Sequence, residues 1–138
     1  MPYLSSYLSD ARMARIVPHI RGDLLDIGCQ RGQLRSQVAG QIDSYTGLDL
    51  SAEMIADARR LHPDAEFFTL DLDDQPLDFE DEFDTIVMSA VIEHVFNLKT
   101  LGTGLSKALK PNGRVVLTTP TPFGNDVVHR VGSAVGLF

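Results

Sequence analysis

Residues 24–32 read Leu-Leu-Asp-Ile-Gly-Cys-Gln-Arg-Gly, an apolar strand entering a turn bounded by Gly28 and Gly32. Seventeen residues past Gly32, Asp49 closes a second apolar segment, Gly47-Leu48-Asp49-Leu50-Ser51. A strand, a glycine turn, a helix and then an acid at the next strand end constrain the fold strongly. Two parallel strands of this spacing need a crossover helix between them. The turn lets backbone N–H groups and a helix N-terminus approach a ligand, because glycine has no Cβ in the way. A carboxylate at the second strand end can accept both hydroxyls of a ribose, so the pair points to an adenosine-containing cofactor.

The rest of the chain repeats the alternation of short apolar strands and helical segments. It predicts an α/β fold, a Rossmann-like open, mainly parallel sheet with helices on both faces. The chain of 138 residues reads as one domain. An opening helix is expected over about residues 9–17, capped by Ser9 or Asp10 and ended by Pro18. Strand one is residues 24–27, and a first crossover helix covers residues 32–39, with Gly40 as its stop. Strand two is residues 44–50, after which Ser51 caps a helix over residues 52–61. Met54, Ile55, Ala58 and Leu61 give that helix one apolar face, and Pro63 blocks its continuation. Strand three is residues 66–70. Strand four is residues 83–89, nearly continuously apolar at Ile86, Val87 and Met88, as a strand covered on both faces should be. A helix over residues 98–109 is weakened by Gly102 and Gly104, Pro111-Asn112-Gly113 reads as a turn, and strand five is residues 114–119. The core of the domain therefore spans about residues 22–120.

Composition excludes several function classes. The net charge of −7 is concentrated between Asp71 and Asp84, where eight of fourteen residues are acidic and none is basic. Elsewhere the chain is nearly neutral, with no stripe of Lys and Arg, so a nucleic-acid partner is not expected. No apolar run approaches the roughly 20 residues of a membrane span. The N-terminus lacks a basic-then-apolar signal pattern, and the single cysteine, Cys29, rules out an internal disulfide. The expectation is a cytoplasmic protein without a membrane partner.

With these residues in view, the chain resembles a class I S-adenosylmethionine-dependent methyltransferase, of the ubiquinone-biosynthesis-like group. Asp26-Ile27-Gly28-Cys29-Gln30-Arg31-Gly32 is similar to the family's first motif, D-x-G-x-G-x-G, with Gln30 in place of the middle glycine. Asp49 matches the acid that takes the ribose hydroxyls, and Asp71-Leu72 the acid–apolar pair bordering the adenine. Phe83-Asp84-Thr85-Ile86-Val87 and Val91-Ile92-Glu93-His94-Val95 resemble the strand-four signature, and Leu109-Lys110-Pro111-Asn112-Gly113 the turn before strand five. The resemblance covers about residues 12–120.

It implies S-adenosylmethionine as cofactor, a small-molecule methyl acceptor, and a set of site residues. Gly28, Cys29 and Gly32 would pass under the methionine half, and Asp26 would orient its ammonium. Asp49 and Leu50 would meet the ribose end, Asp71 the adenine amino group, and Leu72 and Met54 the ring. Ser89 would face the sulfonium, because ligands of open α/β sheets sit beyond the carboxyl ends of the strands. Glu93 and His94 are the candidate catalytic residues, His94 as the base that a hydroxyl acceptor would need. No metal is expected. Relatives that carry E-x-x-E-H at this place have a carboxylate where this chain has Ala90, and two ligands rarely hold a hard cation.

Family members usually continue past strand five with a helix and two more strands. Only eighteen residues follow Pro120 here, and residues 127–138 suggest at most one short helix. The expectation is a piece of a longer protein that lacks the last strands, with a second copy as another way to cover the sheet edge. Two other readings share the topology. A non-catalytic cofactor-binding domain would fit Gln30. A nicotinamide-dependent oxidoreductase would need G-x-G-x-x-G, which Gly28-Cys29-Gln30-Arg31-Gly32-Gln33 does not supply.

Overall fold

Six strands of the described residues form one sheet in the order Glu66–Thr69, Ile42–Asp49, Gly22–Ile27, Phe83–Ser89, Leu109–Pro120 and Asp126–Gly132, the first five of these parallel and the last antiparallel to its neighbour. The computed structural model describes residues 10–89, 96–120 and 126–132. Helix α1 covers residues 10–16 and runs into a 3-10 turn at Val17–His19, where Pro18 takes an early position suited to its fixed φ. β1 is Gly22–Ile27, α2 Gln33–Val38, β2 Ile42–Asp49, α3 Ala52–Leu61, β3 Glu66–Thr69 and β4 Phe83–Ser89. α4 is Leu98–Ala108, β5 Leu109–Pro120 and β6 Asp126–Gly132.

Alternation along the strands divides the interior into two layers. Leu25, Ile27, Leu48, Ile86, Met88 and Leu117 pack with Leu101, Leu105 and Ala108 of α4. On the other face Leu24, Tyr45, Val87 and Val116 pack with Ile16 of α1, Val38 of α2, and Ile55 and Ala58 of α3. Helices thus cover both faces. Local capping agrees with the sequence. Ser51 Oγ accepts from Met54 N at 3.2 Å to start α3, and Asn97 Oδ1 accepts from Thr100 N at 3.1 Å to start α4. The buried stripe of α4 offsets the weak helix propensity of its two glycines.

Several expected boundaries differ. The Pro111-Asn112-Gly113 turn does not end the element. It is a bulge inside β5, where four residues lie between the pairs Phe83↔Leu109 and Thr85↔Arg114 against one on β4, with Asn112 at φ 66°. Among the described residues after Pro120 there is a strand and no helix. Residues 126–132 pair with β5, so the β5 edge is covered, as their valine-rich composition favours.

At the amino ends of the strands, Lys110 Nζ donates to Asp23 Oδ2 at 2.5 Å and to Asp84 Oδ2 at 3.2 Å. Asp84 Oδ2 also accepts from Asp23 N at 2.8 Å. This junction ties β1, β4 and the β5 bulge together on the side away from the site. Asp84, the last acid of the acidic stretch, is thereby bonded to β1 and to Lys110. No described helix is long and apolar enough to cross a membrane.

Candidate functional site

Strand register brings several of the candidate residues to the carboxyl end of the sheet. Asp26 shares a sheet face with Leu24, Tyr45 and Val87, the face covered by α1–α3. By the same alternation Gly47 and Asp49 on β2 and Ser89 on β4 fall on that face at the carboxyl end. Asp26, Gly28, Cys29, Gln30 and Ser89 line one cavity there, with Arg12 and Met13 contributed by α1.

The turn after β1 is built by hydrogen bonds to its neighbour. Gly28 N and Cys29 N both donate to Leu48 O, at 2.8 and 3.0 Å, and Gly32 N donates to Cys29 O at 2.9 Å. Gly28, Gln30 and Gly32 all have positive φ, at 79°, 52° and 82°. Gln30 thus keeps the backbone shape that a glycine would take there. Gly32 has a second reason to be glycine: a Cβ would lie 2.9 Å from His62 Cδ2 and 3.2 Å from Phe67 Cζ. It serves close packing of the turn on α3 and β3, while Gly28 is the glycine at the cavity.

Asp49 is bound to that turn. Its Oδ2 accepts from Gln30 N at 2.8 Å and its Oδ1 from Ser51 N at 2.9 Å. Two of a carboxylate's roughly four lone-pair sites are used, and the others stay available. Its own carbonyl accepts from Leu70 N at 2.9 Å, so the chain reaches Asp71 beside it. Asp71 is exposed and shapes the turn after β3, its Oδ1 accepting from Asp73 N at 3.0 Å. Acids therefore stand at the carboxyl ends of three adjacent strands.

Asp26 is the buried one. Tyr45 Oη donates to its Oδ2 at 2.5 Å. Burial pushes the Asp26 carboxyl up to about 6, opposed by the Tyr45 hydrogen bond and assisted by the nearby Asp49 charge. Burial and then the Asp26 charge push the Tyr45 hydroxyl well above its ordinary value, so it remains a donor. Burial, Asp26 and Asp49 likewise raise the Cys29 thiol, opposite to the lowering a helix N-terminus would give. Cys29 is a packing residue on this geometry.

The other candidates are placed less centrally. Met54 lies half-buried in the first turn of α3, Leu50 is 68% exposed beside Asp49, and Leu72 packs half-buried against the opposite layer. Ser89 Oγ is 3.2 Å from Thr118 Oγ1 of β5. Glu93 and His94 lie outside the described residues, as do residues 121–125 after β5. No cluster of three or more potential metal ligands exists among the described residues.

Tyr45 and Gly47 were not singled out from sequence. Alternation on β2 places both on the Asp49 face, and that was the available signal. Gly47 sits opposite Asp26, and a Cβ on it would lie 2.7 Å from Phe67 Cδ1 and 2.8 Å from Cys29 Sγ. Arg31 adds a brace, donating from Nε to Asp57 Oδ2 of α3 at 3.0 Å. That hydrogen bond holds the Asp57 carboxyl below its usual range.

This arrangement defines the class: a Rossmann-like α/β domain with a glycine turn and strand-end acids suited to a nucleoside. Residues 25–115 match the family described as "Methyltransferase domain". The chain belongs to that family, as a class I S-adenosylmethionine-dependent methyltransferase domain. The ubiquinone biosynthesis O-methyltransferase of Hydrogenovibrio crunogenus is 29% identical over 100 residues, 70% of this chain and 42% of that protein. Demethylmenaquinone methyltransferase of Tropheryma whipplei is 30% identical over 118 residues, 81% of this chain and 49% of that protein. Among solved structures, a TehB-like SAM-dependent methyltransferase from Corynebacterium glutamicum aligns with a TM-score of 0.70 at 25% identity, covering 90% of this chain and 74% of that one. The chain spans less than half the length of these two curated relatives.

Proposed function

We propose that this domain binds S-adenosylmethionine across the carboxyl ends of β1, β2 and β3 and serves methyl transfer to a small-molecule acceptor. When bound, the cofactor supplies a methyl group already activated on sulfur, so the protein's task is mainly alignment. Asp49, held by two backbone donors, offers its remaining lone pairs to the ribose hydroxyls. Asp26 receives the ammonium in the cavity, and the glycine-bounded turn of Gly28, Cys29 and Gly32 lets the backbone approach. Asp71 accepts from the adenine amino group, with Met54 and Leu72 beside the ring and Leu50 next to Asp49 at the ribose end. Ser89, at the end of the central strand, faces the reacting centre. Glu93 and His94, which follow β4 in the chain, are assigned to orienting and deprotonating a hydroxyl acceptor.

One contact supports this reading above the others: the 2.8 Å hydrogen bond from Gln30 N to Asp49, which joins the turn to the acid. It supports a side chain at position 30 being compatible with the proposed site. The turn contributes its backbone, and the exposed Gln30 side chain need not enter.

Calorimetric titration with S-adenosylmethionine, S-adenosylhomocysteine and NAD tests the proposal. Binding of both sulfur compounds without NAD is the expected result; binding of NAD, or of none of the three, overturns it. The names of two relatives make quinone precursors the first acceptors to try in a transfer assay with labelled methyl donor.

A further inference from the structure

We infer that Tyr45 is a positioning residue for the amino-acid end of the cofactor, its hydroxyl holding the Asp26 carboxylate in place to receive an ammonium group. The inference rests on the reading of the cavity as part of the S-adenosylmethionine site. Tyr45 carries a hydroxyl into the core. Phenylalanine would fill the same space at position 45 without bringing a polar atom into the core, where an unpaired hydroxyl is costly. Tyr45 is buried, its ring 5.6 Å from that of Phe67, and its hydroxyl is spent on Asp26 Oδ2 at 2.5 Å.

Asp26 poses the complementary problem. It is a buried carboxylate on a cavity wall, and a buried charge persists only when hydrogen-bonded or paired. One tyrosine hydroxyl satisfies one lone pair. It fixes the rotation of the carboxyl group and favours the ionised form, but it brings no positive charge. Asp49 lies close enough to oppose ionisation further, and Arg12 of α1 is a cation on the same wall. A compact cation entering the cavity completes the compensation that Tyr45 begins. Among the parts of S-adenosylmethionine with hydrogen-bond donors, the ammonium is that group. Tyr45 therefore acts through Asp26 and does not touch the ligand.

The test uses two ligands that share the nucleoside and the thioether sulfur. S-adenosylhomocysteine carries the amino acid, whereas 5′-methylthioadenosine lacks it. In Tyr45→Phe, affinity for S-adenosylhomocysteine should fall about tenfold while affinity for 5′-methylthioadenosine changes by less than about twofold. Tyr45→Leu, which removes the hydroxyl with different packing, should show the same selectivity. In an Asp26→Asn background, Tyr45→Phe should cause no further selective loss. Equal losses for both ligands, or no loss for S-adenosylhomocysteine, overturn the inference alone. A wild-type chain that binds neither ligand overturns the functional reading and this inference with it.

Discussion

Asp49→Ala removes the acceptor from two backbone donors at once. Gln30 N and Ser51 N lie 2.8 and 2.9 Å from its two carboxylate oxygens. Shielded hydrogen bonds to a charged group contribute about 1.5–3 kcal/mol each. Here Gln30 is exposed and Asp49 only half-buried, so water replaces part of each bond. About half the gross value should survive, giving a loss near 2 kcal/mol for the pair. For a chain of 138 residues that lowers the unfolding midpoint by about 6–8 °C. The same substitution deletes the proposed ribose acceptor and should weaken S-adenosylhomocysteine binding by about 2 kcal/mol or more, roughly 30-fold. Asp49→Asn keeps one carbonyl oxygen and should fall between wild type and Asp49→Ala in both measurements. Thermal unfolding of the free protein reads the first effect, and calorimetric titration reads the second. An unchanged midpoint would refute Asp49 as the anchor of the turn; an unchanged affinity would place the nucleoside elsewhere.

Gln30→Gly should leave stability level or raise it by up to about 1 kcal/mol, since relief at φ 52° is partly offset by glycine's unfolded-state entropy. Gln30→Val should instead lose at least about 1 kcal/mol in denaturant unfolding, because a branched side chain suits that φ poorly. Gly47→Ala forces a Cβ against Phe67 and Cys29 and should cost about 1–3 kcal/mol by the same assay. Asp26 predicts a pH dependence: its folded carboxyl titrates at about 6, against an unfolded value of about 3.9. The folded state then binds the extra proton between about pH 4 and 6, so stability falls as pH rises through that window, by roughly 3 kcal/mol. Asp23 acts with the opposite sign, because Lys110 and Ser44 hold its carboxyl low, so its contribution is lost on acidification. The measurement is therefore wild type minus Asp26→Asn across pH 4–7, and a flat difference would contradict the assignment.

Elements announced by local chemistry were legible in the sequence. The continuous apolar run of β4 and the Ser51 cap of α3 place both at their expected limits. Elements decided by neighbours were not. Pro111-Asn112-Gly113 carries a strong turn signal, but pairing with β4 on either side keeps it within one strand as a bulge. Residues 126–132 form a strand because β5 offers an edge to pair with, a fact no local window contains. The acids of the proposed site stood out because each lies at or within two residues of a strand's carboxyl end. Tyr45 did not, since its hydrogen-bond partner is Asp26, nineteen residues away on the adjacent strand.

The departure at Gln30 shows which part of a motif carries its physics. A glycine at that position would supply positive φ and an open approach, and Gln30 retains the first at a local cost. What the fold requires of the residue is the direction of its N–H, which points to Asp49. Since that same carboxylate is proposed to grip the ribose, turn geometry and cofactor affinity are coupled through one side chain. Ligand that engages Asp49 should stabilise the Gln30 turn, whereas a substitution that distorts the turn should weaken the ligand without touching it. Gln30→Val is thus expected to lower S-adenosylhomocysteine affinity as well as stability. Gln30→Gly should preserve affinity, because it keeps the N–H and removes only the side chain.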